Sequence, residues 1–188
     1  MTETDKALEQ WLAEEKVIRE RAATGPGAGV TRPDQAAGLS GMELLQRMLA
    51  AQLPFPPISA TLDFFLMEAS PGRALFQGVP GPQLLNPMGT VHGGWYATLL
   101  DSALGCAVHT MMPPGRGYTT AELSVNVVKA IALKVQRVRA EGKVIHCGRQ
   151  LATAEARLVG PDGTLYAHGT TTCLVFDMHH KPPGGATE

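Results

Sequence analysis

The sequence has few aromatic residues, no excess of charge of either sign and no long apolar run. Of its 188 residues, 5% are aromatic and 18% are charged, and the formal net charge is −1. A balanced charge without a basic stripe argues against a nucleic acid partner. No apolar run reaches the ~20 residues that a membrane span needs, so we expect no membrane partner. The remaining profile fits one domain of ordinary size with an extension.

The sequence is also poor in residues that build disulfides and metal sites. Its three cysteines, Cys106, Cys147 and Cys173, are widely spaced and lack metal-ligand spacing. This pattern favours buried, reduced thiols and a cytoplasmic location. The first residues lack the charged and apolar regions of a signal peptide, which agrees with that location. The six histidines form no HExxH motif, so we expect no metal.

The N-terminal part is predicted to be helical. A charged amphipathic helix over residues 4–23 has a narrow apolar stripe, which we expect to pack on the domain or on a partner chain. Residues 25–38, rich in Gly and Pro, have the composition of a linker. Ser40 and Glu43 form a capping-box pattern that opens a second helix, expected to run to about Leu53 before a group of prolines.

From residue 58 the hydrophobic pattern changes to a period of two, which is typical of strands. Strands are predicted over residues 61–68, 73–78, 119–130, 135–146, 151–159 and 165–176. One long apolar helix lies between the second strand and the third. An antiparallel sheet wrapped around one buried helix is an α+β fold. We therefore divide the chain into an N-terminal helical arm and linker (1–57), a domain (58–178) and a flexible tail (179–188).

The stretch from Asn86 to Thr110, NPMGTVHGGWYATLLDSALGCAVHT, carries the features that bear on function. It begins as a glycine-rich turn and continues as a helix that is apolar all round and therefore buried. Asp101 is its one carboxylate, so we expect a buried acid, either structural and paired with Lys or Arg or catalytic. Gly93 and Gly94 leave bare N–H groups at the helix start, where an anion or developing oxyanion binds. Together these features suggest acyl chemistry.

The spacing of these groups predicts an assembly. Gly93 and Asp101 are eight residues apart, which corresponds to ~12 Å along a helix and to different helix faces. One reacting carbonyl needs the oxyanion donor and the catalytic group each within ~3 Å. Two antiparallel copies of the helix could supply both groups, so we expect a two-fold dimer with shared sites.

The motif Asn-x-x-Gly-x-x-His-Gly-Gly, with Asp nine positions after the His, resembles the hotdog-fold acyl-CoA thioesterases. The resemblance is closest to the phenylacetate-degradation-type, 4-hydroxybenzoyl-CoA thioesterase-like branch. It covers roughly residues 58–178 and includes the strand 118–126. The matching motif residues are Asn86, Gly89, His92, Gly93, Gly94 and Asp101. The resemblance implies a hotdog fold, hydrolysis of an acyl-CoA without a further cofactor, and a homodimer or a dimer of dimers.

The resemblance also implies roles for individual residues. Asp101 would act as general base or as nucleophile, two roles that the sequence does not separate. The Gly93 N–H would hold the thioester oxygen. Asn86 would lie near the carbonyl or the attacking water, or else serve only as a turn residue. His92 would order the loop, and Thr120 would offer a hydroxyl to the Asp or be an ordinary strand threonine.

Substrate contacts are predicted around the same helix. Gly94 and Trp95 would help to bind the substrate, with an apolar acyl pocket built against Trp95. The phosphates of the coenzyme need cations, for which Lys129 and Arg149 are candidates, together with Arg137 and Arg139. Charges on a surface strand are also explained by solvation alone.

Two other functions fit the same fold. A non-catalytic acyl-CoA sensor would bind without hydrolysis, but binding alone does not need a buried acid such as Asp101. An acyl dehydratase would need a His base in the active helix, whereas His92 lies on a glycine turn. Release of free thiol from a panel of acyl-CoAs separates these alternatives.

Overall fold

The computed structural model describes residues 1–178, in which four helices precede a sheet that surrounds a fifth, central helix. The helices are α1 (Glu3–Thr24), α2 (Pro33–Ala36), α3 (Gly41–Leu49), α4 (Pro57–Leu62) and α5 (Gly93–His109). The strands are β1 (Phe64–Ser70), β2 (Arg73–Gly78), β3 (Arg116–Val127), β4 (Val138–Cys147), β5 (Leu151–Val159) and β6 (Leu165–Asp177). The predicted tail 179–188 lies outside the described residues.

The six strands form one antiparallel sheet in the order β1-β2-β4-β5-β6-β3. The sheet curls around α5, which contacts all six strands. The predicted hotdog fold, an antiparallel sheet around a long central helix with a helical N-terminal extension, is confirmed. Within residues 1–178, no helix combines the length and the apolar character needed to cross a bilayer.

Small residues on the inner face of the sheet let α5 approach closely. Ala140, Ala154 and Ala156 are buried there, and Gly142 lies between them on β4. A Cβ atom at Gly142 would lie 2.2 Å from the carbonyl oxygen of Ala103 on α5. Glycine is therefore required at this position by the distance between helix and sheet, because a backbone carbonyl cannot move aside as a side chain can.

The arm packs on its own domain, on the outer face of the sheet beside β2 and β4. Glu15 of α1 is 4% exposed and accepts hydrogen bonds from Arg137 Nε at 2.5 Å and Gln77 Nε2 at 2.6 Å. The guanidinium of Arg139 stacks over the Trp11 ring at 4.5 Å and also binds α1 through Glu14. Of the two predicted surfaces for this helix, domain or partner chain, its own domain provides these contacts.

The boundaries of the arm differ from the prediction. Helix α3 ends at Leu49 rather than near Leu53, because Ala51 has a positive φ of 53° that no helix continues through. The predicted linker contains the short helix α2. Pro57 does not end a helix but begins α4, since proline fits the first helical position. As a result, the strand predicted over 61–68 begins only at Phe64.

Two of the later strands are displaced from their predicted ranges, whereas β5 and β6 agree with theirs. Strand β3 ends at Val127 rather than at 130, and β4 begins at Val138 rather than at 135. The Tyr96 hydroxyl accepts a hydrogen bond from the Ile131 N–H at 2.6 Å. Because this buried bond draws the chain toward α5, the segment between the strands leaves the sheet.

Candidate active site

Asp101 faces β3, where the Thr120 hydroxyl donates a hydrogen bond to its Oδ1 at 3.1 Å. A bulge at Ala121 interrupts the alternation of β3. Because of this extra residue, Thr120 and Leu123 both point to the inner face, whereas strict alternation would place them on opposite faces. The bulge thus brings the hydroxyl to the carboxylate and keeps apolar residues inward on the rest of the strand.

The expectation of a buried acid is wrong for this chain, because Asp101 is partly exposed. It lies with Thr98 and Ser102 on the one stripe of α5 that the sheet does not cover. Both hydroxyls donate to helix carbonyls, at 2.9 and 2.8 Å. Water can therefore reach the carboxylate, and no Lys or Arg forms an ion pair with it among residues 1–178.

Two further groups surround Asp101 that the sequence did not single out. Burial, reinforced by the nearby Asp101 charge, raises the pKa of the Cys106 thiol to about 12. Burial and the neighbouring acidic groups also raise the pKa of Tyr118 well above its usual value. Both groups therefore stay protonated at neutral pH, and Cys106 is not a thiolate nucleophile. Tyr118 could have been found from its position two residues before Thr120, on the same strand face.

The start of α5 presents one free backbone donor. His92 is the N-cap, and its Nδ1 accepts the Gly94 N–H at 2.9 Å. The Gly93 N–H, at the first helical position, has no acceptor within the helix and none elsewhere among the described residues. A Cβ atom on Gly93 would meet nothing within 4 Å. Gly93 thus offers its N–H to open space, whereas that of Gly94 is occupied by the cap.

A cavity of about 340 Å³ opens beside this donor and is lined by Asn86, Gly93, Tyr96, Val127 and Lys129, among others. The Asn86 side chain holds the preceding loop, since its Oδ1 accepts from the backbone N–H groups of Met88 and Thr90. Asn86 therefore has the structural role in the turn that the sequence suggested, and its side chain also lines the cavity. The structure brings together Asn86, Gly93 and Lys129 of the predicted set.

The other predicted substrate contacts lie elsewhere. Trp95 is 3% exposed, and its Nε1 donates to the Leu62 carbonyl at 2.9 Å, so it is a core residue in this chain. Arg137 and Arg139 are occupied by the arm. Arg149 is exposed near the start of β3, where its carbonyl accepts from Arg116.

Within one chain, the predicted groups form two separate clusters. Gly93, Asn86 and Lys129 lie at the start of α5, while Asp101 and Thr120 lie more than two helical turns further on, ~12 Å along the axis. A single chain therefore does not place the donor and the carboxylate around one carbonyl. Among the described residues, no group of three His, Cys, Asp or Glu side chains could hold a metal ion.

The model of the thioesterase superfamily matches residues 88–167, which include α5, the Gly93 donor, Asp101 and Thr120. The chain is similar to the thioesterase superfamily over these residues. At the level of this family it is a thioester hydrolase. No curated protein matches this thioesterase significantly.

Solved structures agree with this assignment. A thioesterase family protein from Silicibacter pomeroyi is 28% identical, with a TM-score of 0.59, over 64% of this chain and 90% of that one. A phenylacetic acid degradation-related protein from Ralstonia eutropha JMP134 is 25% identical, with a TM-score of 0.63, over 69% and 97% of the two chains. The PaaI protein of the E. coli phenylacetic acid degradation operon, 17% identical with a TM-score of 0.58 over 63% and 83%, shares the fold.

Proposed function

We propose that this thioesterase hydrolyses acyl-CoA thioesters at a site shared by two copies of the chain. Asp101 of one copy is the general base, and the Gly93 N–H of the other binds the carbonyl oxygen. The observation that carries the proposal is the pair of complementary half-sites on α5. One has a free donor facing a cavity, and the other has a solvent-reachable carboxylate fixed by Thr120.

The free edge of β3 supports this dimer. β3 is an edge strand of 12 residues, and an unpaired edge is a template for another strand. We place the two-fold axis near Leu123, which is in the middle of the exposed part of the β3 edge. The bulged residue, Ala121, pairs with no residue of the second copy. In the resulting pairing of the two β3 strands, Thr120 lies opposite Val125 of the second copy, and Tyr118 lies opposite Val127. Val127 lines the Gly93 cavity, so the pairing carries Asp101 toward the other copy's donor.

The same pairing joins the proposed coenzyme contacts. Arg116 of one copy lies opposite Lys129 of the other, and the carbonyl of Arg149 is bonded to Arg116. Lys129 and Arg149, at opposite ends of one chain's sheet, therefore come together from two chains beside the cavity. Two cations at the mouth of a shared site suit the phosphates of coenzyme A. Asn86 lies in the same cavity wall and can bind the substrate near its thioester carbonyl.

The proposed reaction balances as a hydrolysis. Asp101 takes a proton from water, the oxygen attacks the thioester carbon, and negative charge develops on the carbonyl oxygen. The Gly93 N–H stabilises this charge, a contribution typically worth ~3–4 kcal/mol of barrier. The C–S bond then breaks, the proton on Asp101 passes to the sulfur, and the products are a carboxylic acid and free coenzyme A. We propose no further cofactor. The three free cysteines suit a cytoplasmic location.

Free-thiol release from a panel of acyl-CoAs tests the activity, and Asp101→Asn tests the base. The amide has the same shape without charge, so we expect unchanged thermal stability and a fall in kcat of at least about a hundredfold. Activity within a few-fold of the parent would exclude Asp101 as the base. Tight binding without thiol release would indicate a sensor, and double-bond hydration without release would indicate a dehydratase. Single turnover in ¹⁸O-labelled water tests for a nucleophile, because label in the Asp101 carboxylate requires an anhydride between Asp101 and the acyl group and would exclude the role of general base.

Mixing two inactive variants tests the shared site. Gly93→Pro removes the N–H at the first helical position, where proline is tolerated, and Asp101→Asn removes the base. After equal mixing about half of the dimers are hybrids, so about a quarter of all sites are intact. Recovery of about a quarter of parental activity supports sharing. If subunit exchange is demonstrated and no activity returns, each chain builds its own site.

A further inference from the structure

An apolar cavity of about 60 Å³ lies between the arm and the domain. The arm contributes Ile18 and Ala22 from α1 and Met48 from α3, and the domain contributes Phe76 and Cys106. Among the described residues that line it, the Ser59 hydroxyl and the Cys106 thiol are the polar groups. Because most of its wall comes from the N-terminal extension, this cavity belongs to the arm rather than to the sheet and helix alone.

Cys106 links this arm cavity to the carboxylate. It lines the cavity and lies near enough to Asp101 for that charge to act on its thiol. The two residues are five positions apart on α5, which corresponds to ~7.5 Å along the axis. The cavity therefore lies beyond Asp101 toward the C-terminal end of α5, in the direction that an acyl chain running along the helix from the reacting carbonyl would take.

The size of the arm cavity decides between kinds of acyl group. A dry apolar cavity that binds benzene measures ~150 Å³, more than twice the volume found here. In proportion to the six carbons of benzene, the arm cavity of about 60 Å³ has room for about two carbons. It therefore fits the end of an aliphatic chain and excludes an aromatic ring.

We infer that the arm cavity binds the end of a medium-length aliphatic acyl chain, so that the N-terminal arm sets the chain-length preference of the enzyme. This inference rests on the proposed function. An extended chain advances ~1.2 Å per bond, since a residue of three bonds spans ~3.6 Å. About six bonds cover the distance from Asp101 to Cys106, and about two carbons fill the cavity. The preferred acyl group is then near eight carbons.

A pair of aromatic rings closes the far end. The Phe55 and Phe65 rings lie 5.2 Å apart, and both line the arm cavity and a separate groove on the surface. They form the wall between the two spaces, so a longer chain is stopped there. Removing one of these rings would join the arm cavity to the groove. A larger side chain at Ala22 would fill part of the arm cavity and leave less room for the end of an acyl chain.

The test compares kcat/KM for butyryl-, octanoyl-, dodecanoyl- and phenylacetyl-CoA in the full chain. For the parent we expect octanoyl-CoA to be the best substrate. Ala22→Leu should lower the octanoyl-to-butyryl ratio about tenfold, because displacing a methylene from a pocket costs at least that much. Phe55→Ala should raise the dodecanoyl-to-octanoyl ratio about tenfold. Ala13→Leu, the same substitution at an exposed position of α1, should leave both ratios unchanged, and butyryl-CoA should be hydrolysed equally by all.

Each outcome has one meaning. Ratios that move in opposite directions for the two cavity variants support the inference. Profiles that match Ala13→Leu, or a parent that prefers phenylacetyl-CoA, overturn it while leaving the hydrolase assignment intact. No thiol release from any acyl-CoA overturns the proposed function itself. If Ala22→Leu does not fold, the Phe55→Ala profile decides, since an enlarged cavity needs no repacking of α1.

Discussion

The attachment of the arm depends on one buried carboxylate, so Glu15→Ala should loosen it. Glu15 is 4% exposed and accepts hydrogen bonds from Arg19 at 2.6 Å, Arg137 at 2.5 Å and Gln77 at 2.6 Å. Alanine leaves the Arg137 guanidinium and the Gln77 amide without this acceptor at a largely buried contact. The cost is that of unpaired buried groups rather than of the lost bonds alone.

The magnitude follows from which donors keep other partners. Removing one member of a buried ion pair costs ~3–5 kcal/mol. Arg19 keeps its bond to Asp63 at 2.6 Å and is 37% exposed, so we take the lower limit, about 3 kcal/mol. For a chain of this size 1 kcal/mol shifts Tm by ~2–4 °C, which gives a fall of about 6–12 °C.

Thermal unfolding followed by circular dichroism checks this value, with Glu20→Ala as the control. Glu20 is an exposed member of a surface pair with Lys16 at 3.8 Å, and its removal should change stability by less than ~0.5 kcal/mol. If Glu15→Ala changes neither Tm nor the hydrogen exchange of α1 more than the control does, the buried network does not attach the arm. If hydrogen exchange quickens in α1 alone at constant Tm, the arm undocks independently and the global figure is wrong.

Three other predictions follow from the same contacts. Burial would raise the pKa of Glu15, but hydrogen bonds from Arg137, Arg19 and Gln77 outweigh it and leave the pKa below its usual 4.5. The stabilisation by these bonds should be complete above about pH 4.5 and be lost as pH falls through the lowered pKa. The stability of Glu15→Ala should therefore depend less steeply on pH in acid than that of the parent. Gly142→Ala should destabilise the fold by about 3 kcal/mol, measured by urea unfolding, because its Cβ meets the Ala103 carbonyl. Thr120→Val should lower kcat about tenfold at unchanged Tm by removing the donor to Asp101, and an unchanged kcat would reduce Thr120 to a structural strand residue.

The sequence by itself determined the architecture and the catalytic candidates. An apolar helix between segments of period two can bury its surface only inside a sheet, and this arrangement predicted the α+β fold. The bare glycines at the start of α5 and the single Asp101 along it are local features, set by residue type and spacing. Their separation along one helix also predicted that a single chain is incomplete, because helix geometry fixes that distance.

Tertiary structure decided the features that depend on distant residues. The contact of Thr120 with Asp101 requires the bulge at Ala121, and alternation along the sequence gave no sign of it. Asp101 is partly exposed because the sheet leaves one stripe of α5 open; Thr98 and Ser102 mark this stripe in the sequence at helical spacing, but the interpretation of the helix as apolar all round missed it. Glu15 looked like one more surface charge on an amphipathic helix, and its burial arises only where Gln77 of β2 and Arg137, just before β4, meet α1. Each of these depends on pairings between residues far apart in the chain, whereas periodicity and spacing record only what neighbours along the chain can do.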